Sequence, residues 1–290
     1  MLVLSVIRGD DISVNTRNLI KKFIPPIVID GIRRARTRRP QWEYMPGGWD
    51  SVDQKITGWD IQSIADAEMR KWEAFSGLLE GSGILGINHE DLHPTTTNPT
   101  AHNAVMSFGY VLGLAAAGRD RLSILDWGGG LGHYYLFAKT LLPEIQLEYH
   151  CRDLPPYCRY GRDLLPAVTF HDNDDRWPQM KFDLVFSSSA MQYVRGWQGQ
   201  LAQLSSAFSR YMFITRIPMA QTTPSFVVLQ RPYDLEYSAE YLGWVFNQTE
   251  FLQAARSQGV QLAREFLVME DPVILNAPEQ PHYRGFLFNR

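Results

Sequence analysis

The stretch LDWGGGLGHYY, residues 125 to 135, places four glycines within five positions, shortly after the carboxylate of Asp126. An apolar run precedes these glycines and a segment with helical character follows them. Glycines at the end of a first strand let a ligand approach the backbone closely, because Cβ atoms would otherwise block it. The stretch therefore predicts a nucleoside-binding turn, formed by Gly128, Gly129, Gly130 and Gly132. The alternative is a glycine-rich turn between strand and helix with no ligand.

The spacing of the glycines distinguishes two kinds of nucleoside. Dinucleotide folds use G-x-G-x-x-G, whereas this chain has G-x-G-x-G and places His133 at the later position. A pyrophosphate would be repelled by the acid at Asp126, whereas a zwitterionic ligand with an ammonium group would be attracted. This disfavours a nicotinamide oxidoreductase.

Composition limits the possible partners. The 290 residues are 45% apolar and carry a formal net charge of -3. A large core is therefore expected, and nucleic acid is not expected as a partner, because general nucleic-acid binders are strongly basic. Residues 17 to 39 nevertheless hold eight basic residues against one acid. Residues 21 to 39 also mix apolar and cationic side chains, which predicts peripheral contact with an anionic membrane. The alternative is an interaction arm or a solvated face that contacts the acidic remainder of the chain.

The cysteines and the apolar runs bear on location. Cys151 and Cys158 are too few and too close together for a secreted disulfide framework. They also lack the further His or Cys residues that a zinc site of recognisable spacing needs, so no metal is predicted. No apolar run reaches the ~18 residues that span a bilayer, and the N-terminus has no signal-peptide pattern. A cytoplasmic protein is expected.

The chain divides into three predicted regions: a basic N-terminal segment (1 to 39), a helical cap (40 to 118) and a catalytic domain (119 to 290). In the cap, apolar residues from 61 to 75 recur at helical spacing, and a second helix is predicted from 100 to 117. Beyond Arg121, short apolar runs alternate with helical segments, which is typical of a mostly parallel α/β sheet. Seven strands are predicted, at 122 to 127, 145 to 151, 167 to 170, 182 to 188, 211 to 217, 260 to 269 and 282 to 289.

The connections refine this fold. Only DPVILNAPEQP separates the last two strands, which leaves no room for a packed crossover and predicts an antiparallel pair. Asn247 and Glu250 resemble a capping box at the start of the helix before the sixth strand. The prediction is a Rossmann-like, seven-stranded, mostly parallel sheet with an antiparallel last strand and an N-terminal helical cap.

Asp153 follows the second predicted strand, about 20 residues beyond the glycines, where a carboxylate can bridge the two hydroxyls of a ribose. Its alternative role is to cap the helix that starts near Pro155.

A set of motifs resembles class I S-adenosylmethionine-dependent methyltransferases. LDWGGGLG resembles their first motif, and CRDLP (151 to 155) resembles the DLP that ends the second strand in small-molecule O-methyltransferases. The similarity continues through FHDND (170 to 174), FDLVFSSSAMQYV (182 to 194), TRIP (215 to 218) and FVVLQ (226 to 230). With EYMPGGWDS (43 to 51) and TGWD (57 to 60), the set resembles a family of bacterial methyltransferases associated with cell-envelope polysaccharide genes.

The resemblance implies roles for individual residues. Asp126 would lie near the methionine amino group, and the glycines would line the cofactor. Asp153 would hold the ribose, with Leu154 beside the adenine. Asp172 would face the adenine amino group, unless HDNDD (171 to 175) is a solvated acidic loop. Ser187 and Ser188 would lie close to the methionine moiety.

The sequence offers several candidates for the catalytic base. A hydroxyl acceptor needs a proton acceptor nearby, and small-molecule O-methyltransferases commonly place a His after the fourth or fifth strand. This chain has SAMQY (189 to 193) and TRIP there, without a His. The candidates are His133, Tyr193 and the loop histidines His89, His93 and His102. His133 and Tyr193 each have a packing role as the alternative, and positioning of the acceptor is expected to outweigh a dedicated base.

Three further residues are predicted to contact the acceptor. Gln192 would orient it together with Tyr193, and Arg216 would meet an anionic group or form a salt bridge. Trp49, with Trp42 and Trp59, would stack on a sugar or anchor the cap.

The predicted function is transfer of a methyl group from S-adenosylmethionine to a hydroxyl of a sugar, a glycan precursor or another small polar metabolite. N- and C-methylation and any oligomeric state stay open. The alternative is a cofactor-binding pseudoenzyme that acts as a partner-binding module.

Overall fold

The computed structural model describes residues 41–51, 62–91, 93–232, 239–270 and 272–290. The basic segment with its predicted membrane contact, the TGWD motif and Trp59 lie outside these ranges. Among the described helices, none is both long and apolar enough to cross a bilayer.

The described residues form ten strands and six α-helices. The strands are β1 (Trp42–Tyr44), β2 (Arg121–Trp127), β3 (Gln146–Arg152), β4 (Thr169–His171), β5 (Phe182–Ser188), β6 (Phe208–Ala220), β7 (Phe226–Gln230), β8 (Tyr241–Asn247), β9 (Gln261–Leu267) and β10 (His282–Asn289). The helices are α1 (Gln62–Gly77), α2 (Pro99–Ala116), α3 (His133–Leu141), α4 (Pro155–Leu164), α5 (Trp197–Ala207) and α6 (Gln248–Ser257).

Seven strands form the main sheet in the order β4-β3-β2-β5-β6-β10-β9. The first five of these strands are parallel to one another, whereas β10 runs antiparallel to both β6 and β9. This confirms the predicted fold class. The antiparallel pair forms because the short connection between β9 and β10 holds no crossover helix.

Three strands beyond the predicted seven extend the sheet. β1 and β8 pair antiparallel with β7, and β8 joins the far end of β6 through Met219 and Ala220. FVVLQ, identified above only as a motif, is β7. The helical cap was predicted to begin at residue 40, but Trp42–Tyr44 is a strand. The reason is a long-range ladder that pairs it with β7.

Side-chain caps mark two helix starts. Asn98 accepts a hydrogen bond from the Ala101 N–H at 3.1 Å, one residue before Pro99 opens α2. Asn247 accepts from the Glu250 N–H at 3.0 Å and starts α6. Only this half of the predicted capping box forms, because the Glu250 carboxylate binds the Ser225 hydroxyl instead. Each cap satisfies a backbone donor that helix geometry leaves without a partner.

Helix α2 packs on the sheet and on α3, and helix α1 packs on α3, through aromatic side chains. Phe108 of α2 is fully buried, and its ring lies 4.9 Å from Tyr134 and 4.6 Å from Phe186 between centroids. Phe75 of α1 lies 5.6 Å from Phe137 in the same way. The two helices and the sheet therefore share one hydrophobic cluster.

We expect Phe108→Ala to lower the free energy of unfolding by about 3–5 kcal/mol, because it removes a fully buried ring and leaves a cavity. Met106→Ala, on the same helix but 39% exposed, is the matched control and should change it by less than about 1 kcal/mol. Urea denaturation of both variants measures the difference. Equal losses would contradict the packing described.

Candidate functional site

A cavity of about 840 Å³ lies at the carboxyl ends of the central strands, beneath α1 and the loop that follows it. The glycine turn after β2, Asp153 after β3, Ser188 at the end of β5 and Arg216 of β6 line one side. Ligands of open α/β sheets bind in this crevice, and small-molecule sites usually measure about 300–1,000 Å³. The cavity therefore has room for a nucleoside and a second small reactant.

The glycine turn leaves no space for a side chain at Gly128 or Gly129, and the backbone conformation at Gly130 favours glycine. Gly128 and Gly130 have φ of 80° and 58°, in the left-handed region that favours glycine. A Cβ at Gly128 would lie 2.2 Å from the Ala190 Cβ, and one at Gly129 would lie 2.4 Å from the Asp126 carboxylate. These three glycines line the cavity. Gly132 does not, because it packs against side chains behind the turn.

Asp126 lies below this turn and is 1% exposed. Its carboxylate accepts a hydrogen bond from the Tyr149 hydroxyl at 2.8 Å, and the residue forms part of the cavity wall. Burial raises the pKa of Asp126 to about 7, although the Tyr149 hydrogen bond acts in the opposite direction. A positively charged ligand group beside it would stabilise the ionised form.

Asp153 connects the second predicted strand, β3, to the glycine turn. Its carboxylate accepts hydrogen bonds from the Gly130 N–H at 2.6 Å and from the Leu154 N–H at 2.7 Å. Desolvation raises the pKa of Asp153, and the two backbone N–H groups partly offset this rise. The N-cap of α4 is Leu154 rather than Asp153, so the helix-capping alternative does not describe this carboxylate. Both residues line the cavity, as the predicted ribose and adenine contacts require.

The cap contributes a cluster of polar side chains. Glu68 of α1 and His89 of the following loop meet His133 at the start of α3. The His133 Nε2 lies 3.8 Å from the Glu68 Oε2, and the His89 and His133 rings stack with centroids 4.1 Å apart. Desolvation lowers the pKa of His89 to about 3 and that of His133 well below its ordinary value. Both imidazoles are therefore neutral at physiological pH.

Glu68 is a site residue that the sequence reasoning missed. A signal existed, because Glu68 lies four residues after Ile64 and four before Trp72, on the apolar face of α1. A charge on a buried helix face requires a partner, yet nothing in the sequence identifies that partner as His133. His93 and His102, the other two predicted loop histidines, are exposed and do not line the cavity, and His102 lies in α2 rather than in a loop.

Two predicted aromatic residues lie in the cavity wall apart from this cluster. Tyr193 donates a hydrogen bond to the Gln230 Oε1 at 2.6 Å, and burial raises the pKa of its hydroxyl. Trp49 packs against Trp244, with ring centroids 5.9 Å apart. The position of Trp49 therefore allows either of its predicted roles, stacking on a ligand or anchoring the cap.

Arg216 and Gln192 were both predicted to contact the acceptor. Arg216 lines the cavity with a φ of 55°, and its guanidinium pairs with Glu270 at 2.6 Å and Glu90 at 3.6 Å. Arg216 therefore forms the salt bridge that was its alternative role, and it also lines the cavity where an acceptor contact was predicted. Gln192 is buried outside the cavity lining and donates to the Ser189 Oγ at 3.1 Å, so it holds the turn after β5.

Of the three cofactor residues predicted at the ends of β4 and β5, only one lines the cavity. Ser188 lines the cavity, and its hydroxyl lies 3.3 Å from that of Tyr134. Ser187 is buried outside the lining. Asp172 also lies outside it, in an ion pair with Arg162 at 2.8 Å.

The cavity wall is acidic. Among the described residues that line it, the carboxylates outnumber the guanidinium groups of Arg152 and Arg216; they belong to Glu68, Glu90, Asp126, Asp153 and Glu270. Arg152 is itself paired with Asp174 at 2.7 Å. Such a wall favours a ligand that carries positive charge, as a sulfonium nucleoside does.

Comparison with known proteins gives matches in structure only. No protein-family model and no curated protein matches the chain. Among solved structures, the chain is similar to magnesium protoporphyrin IX methyltransferase from Synechocystis PCC 6803 with bound SAH. The identity is 13% and the TM-score 0.48, with coverage of 79% of this chain and 99% of that one.

Two further structures are similar. An S-adenosylmethionine-dependent methyltransferase from Clostridium acetobutylicum matches at 8% identity and a TM-score of 0.44, covering 64% of this chain and 91% of that one. The O-methyltransferase of a trans-AT PKS multienzyme from Brevibacillus brevis, in complex with S-adenosyl-L-homocysteine, matches at 14% identity and a TM-score of 0.44, covering 58% and 66%. At these identities the likeness extends to the fold alone.

The raised pKa of Asp126 predicts an unusual pH dependence of stability in the ligand-free protein. Between about pH 4 and pH 7 the folded state keeps a proton on Asp126 that the unfolded chain has released. The free energy of unfolding should therefore fall as pH rises through this window, by up to about 4 kcal/mol from this group.

Asp126→Asn should remove this contribution. In urea denaturation, the free energy of unfolding of the parent should therefore fall relative to that of the variant as pH rises from about 4 towards 8. Asp175→Asn, at an exposed loop carboxylate, is the control. If the free energies of unfolding of Asp126→Asn and the parent differed by the same amount at every pH, the raised pKa of Asp126 would be contradicted.

Proposed function

We propose that the chain transfers the methyl group of S-adenosylmethionine to a hydroxyl group of a small polar acceptor, with a sugar or glycan precursor as the favoured class. The observation that carries this proposal is the side-chain-free turn at Gly128, Gly129 and Gly130, hydrogen-bonded to Asp153 at the wall of an acidic cavity. A Cβ at the first two of these positions would collide with neighbouring atoms. The cradle and the charge both fit a cationic nucleoside.

The bound cofactor would supply an electrophilic methyl group on a positively charged sulfur. Asp153 would hold the ribose hydroxyls, Leu154 would contact the adenine, and Asp126 would face the methionine ammonium group. Ser188 would lie near the methionine moiety. The roles of Gly132, Ser187 and Asp172 stay predictions from the resemblance, since these residues do not line the cavity.

The acceptor would lie on the cap side of the cavity, which is the part lined by residues of the predicted cap: Trp42, Trp49, Glu68, His89 and Glu90. Trp42, Trp49, Tyr193 and Arg216 all line the cavity and are the proposed acceptor contacts. Of the two proposed catalytic residues, His133 and Tyr193, His133 is the closer to the glycine turn along the chain. Methyl transfer is an in-line displacement, so these residues act chiefly by aligning the two reactants and excluding water.

Calorimetry tests the cofactor half of this proposal. Asp153→Ala should weaken binding of S-adenosylmethionine about 10-fold to 100-fold, because charge-assisted hydrogen bonds are lost. Asp163→Ala, at an exposed carboxylate on α4, is the matched control and should bind normally. Binding of NAD but not of S-adenosylmethionine to the parent chain would overturn the proposal.

Trp49→Ala tests the acceptor half. A mass increase of one methyl group on a compound from the native host's extract identifies the acceptor, and its absence would favour the pseudoenzyme. With that acceptor, Trp49→Ala should raise KM about fivefold to tenfold and leave cofactor affinity unchanged.

Trp244→Ala is the control for Trp49→Ala. It also abolishes the contact between the Trp49 and Trp244 rings, but Trp244 does not line the cavity. It should leave KM for the acceptor close to that of the parent. A loss of cofactor affinity and melting temperature in Trp49→Ala, together with the loss of turnover, would instead indicate that Trp49 anchors the cap.

A further inference from the structure

Glu68, His89 and His133 converge from three separate parts of the chain on the cap side of the cavity. One potential ligand atom from each residue lies within 4.8 Å of those of the other two. All three residues line the cavity, so a small ligand can reach the cluster. The sequence predicts no metal, because Cys151 and Cys158 lack further ligands at a recognisable spacing. Glu68, His89 and His133 lie far apart along the chain and form no such motif.

The surroundings hold this cluster in place. Phe75 and Trp72 pack against the His133 ring at 5.0 and 5.1 Å between centroids. The Lys71 Nζ lies 3.8 Å from the Glu68 Oε1, whereas the Oε2 is the oxygen that faces His133. One carboxylate oxygen is thus oriented by a neighbouring charge while the other faces the imidazoles, as is common around metal ligands.

We propose that Glu68, His89 and His133 bind one divalent transition-metal ion of the zinc class, with the fourth position open to the acceptor. Two histidines and one carboxylate with an open position form a typical catalytic zinc site. Mg²⁺ and Ca²⁺ are disfavoured because they prefer oxygen ligands. The ammonium of Lys71 opposes a dication, and the carboxylates that line the cavity offset this effect.

Metal binding requires a modest contraction of the cluster. A tetrahedral ion about 2.1 Å from each ligand separates those ligands by roughly 3.4 Å. The present separations reach 4.8 Å, so the side chains must move inward by about an ångström. The stacked His89 and His133 rings must also turn relative to one another, because an ion lies in the plane of each imidazole that binds it. Rotation about the side-chain bonds of Glu68 and of His89, which is only partly buried, would have to supply both movements.

The role of the ion rests on the proposed methyl transfer. An acceptor hydroxyl bound at the open position would lose its proton to water more readily, because the ion stabilises the resulting alkoxide. That oxygen then forms a bond to the methyl carbon as the carbon–sulfur bond breaks, and the electron pair of this bond passes to sulfur. The products are the methyl ether and neutral S-adenosylhomocysteine. This would account for the absence of a His after β5 or β6.

The test uses the full-length chain, stripped of metal by a chelator and then dialysed. Titration with Zn²⁺ should show one tight site per chain, and Co²⁺ should give the visible absorption of a tetrahedral complex. Glu68→Gln, His89→Ala and His133→Ala should each weaken Zn²⁺ binding by about tenfold or more. His93→Ala, at an exposed histidine, should bind as the parent does.

Calorimetry with S-adenosylmethionine on the metal-free parent and variants checks their folding and separates the two proposals. Absence of stoichiometric Zn²⁺ binding, or binding unaffected by all three substitutions, would overturn the metal site while cofactor binding still supported the methyltransferase. Undiminished methyl transfer by the metal-free protein would overturn the catalytic role of the ion. Metal binding without cofactor binding would overturn the methyltransferase proposal and leave the metal site standing.

Discussion

The carboxylate of Asp153 accepts hydrogen bonds from the backbone N–H groups of Gly130 and Leu154, and these bonds join the ends of β2 and β3 at the cavity. A turn with left-handed glycines gains no stability from its own side chains, so contacts to neighbouring groups must hold it. The carboxylate of Asp126 lies directly against Gly129 in the same turn. The open space above the turn thus depends on two carboxylates that are themselves candidate ligand contacts.

The cap completes the cavity rather than only covering it. Helix α1 buries an apolar face that also carries Glu68 and Lys71, and burial of such charges is costly unless they are paired. Their position near His133 places polar chemistry beside the glycine turn. Removal of the aromatic contacts that α1 makes with α3, and α2 with α3 and the sheet, would therefore disturb both the stability of the fold and the acceptor side.

The acidic wall favours a cationic ligand over an anionic one. Arg216 is compensated by Glu90 and Glu270, so its charge is not available in full to an anionic acceptor. Its left-handed backbone, at φ of 55°, is unusual for a residue other than glycine and marks a position constrained by its surroundings. A cationic cofactor and a neutral acceptor suit this wall better than two anions.

Features that follow from local rules could be predicted from the order of the amino acids. Alternating apolar runs predicted the parallel sheet, the short last connection predicted the antiparallel pair, and the glycines predicted the turn at Gly128. The meeting of distant side chains could not be predicted in this way. Glu68 reaches His133, Asp172 turns away to Arg162, and Trp42–Tyr44 becomes a strand by pairing with β7. Such contacts join residues far apart in the chain, and they form only once the helices and the sheet have packed, which local patterns do not encode.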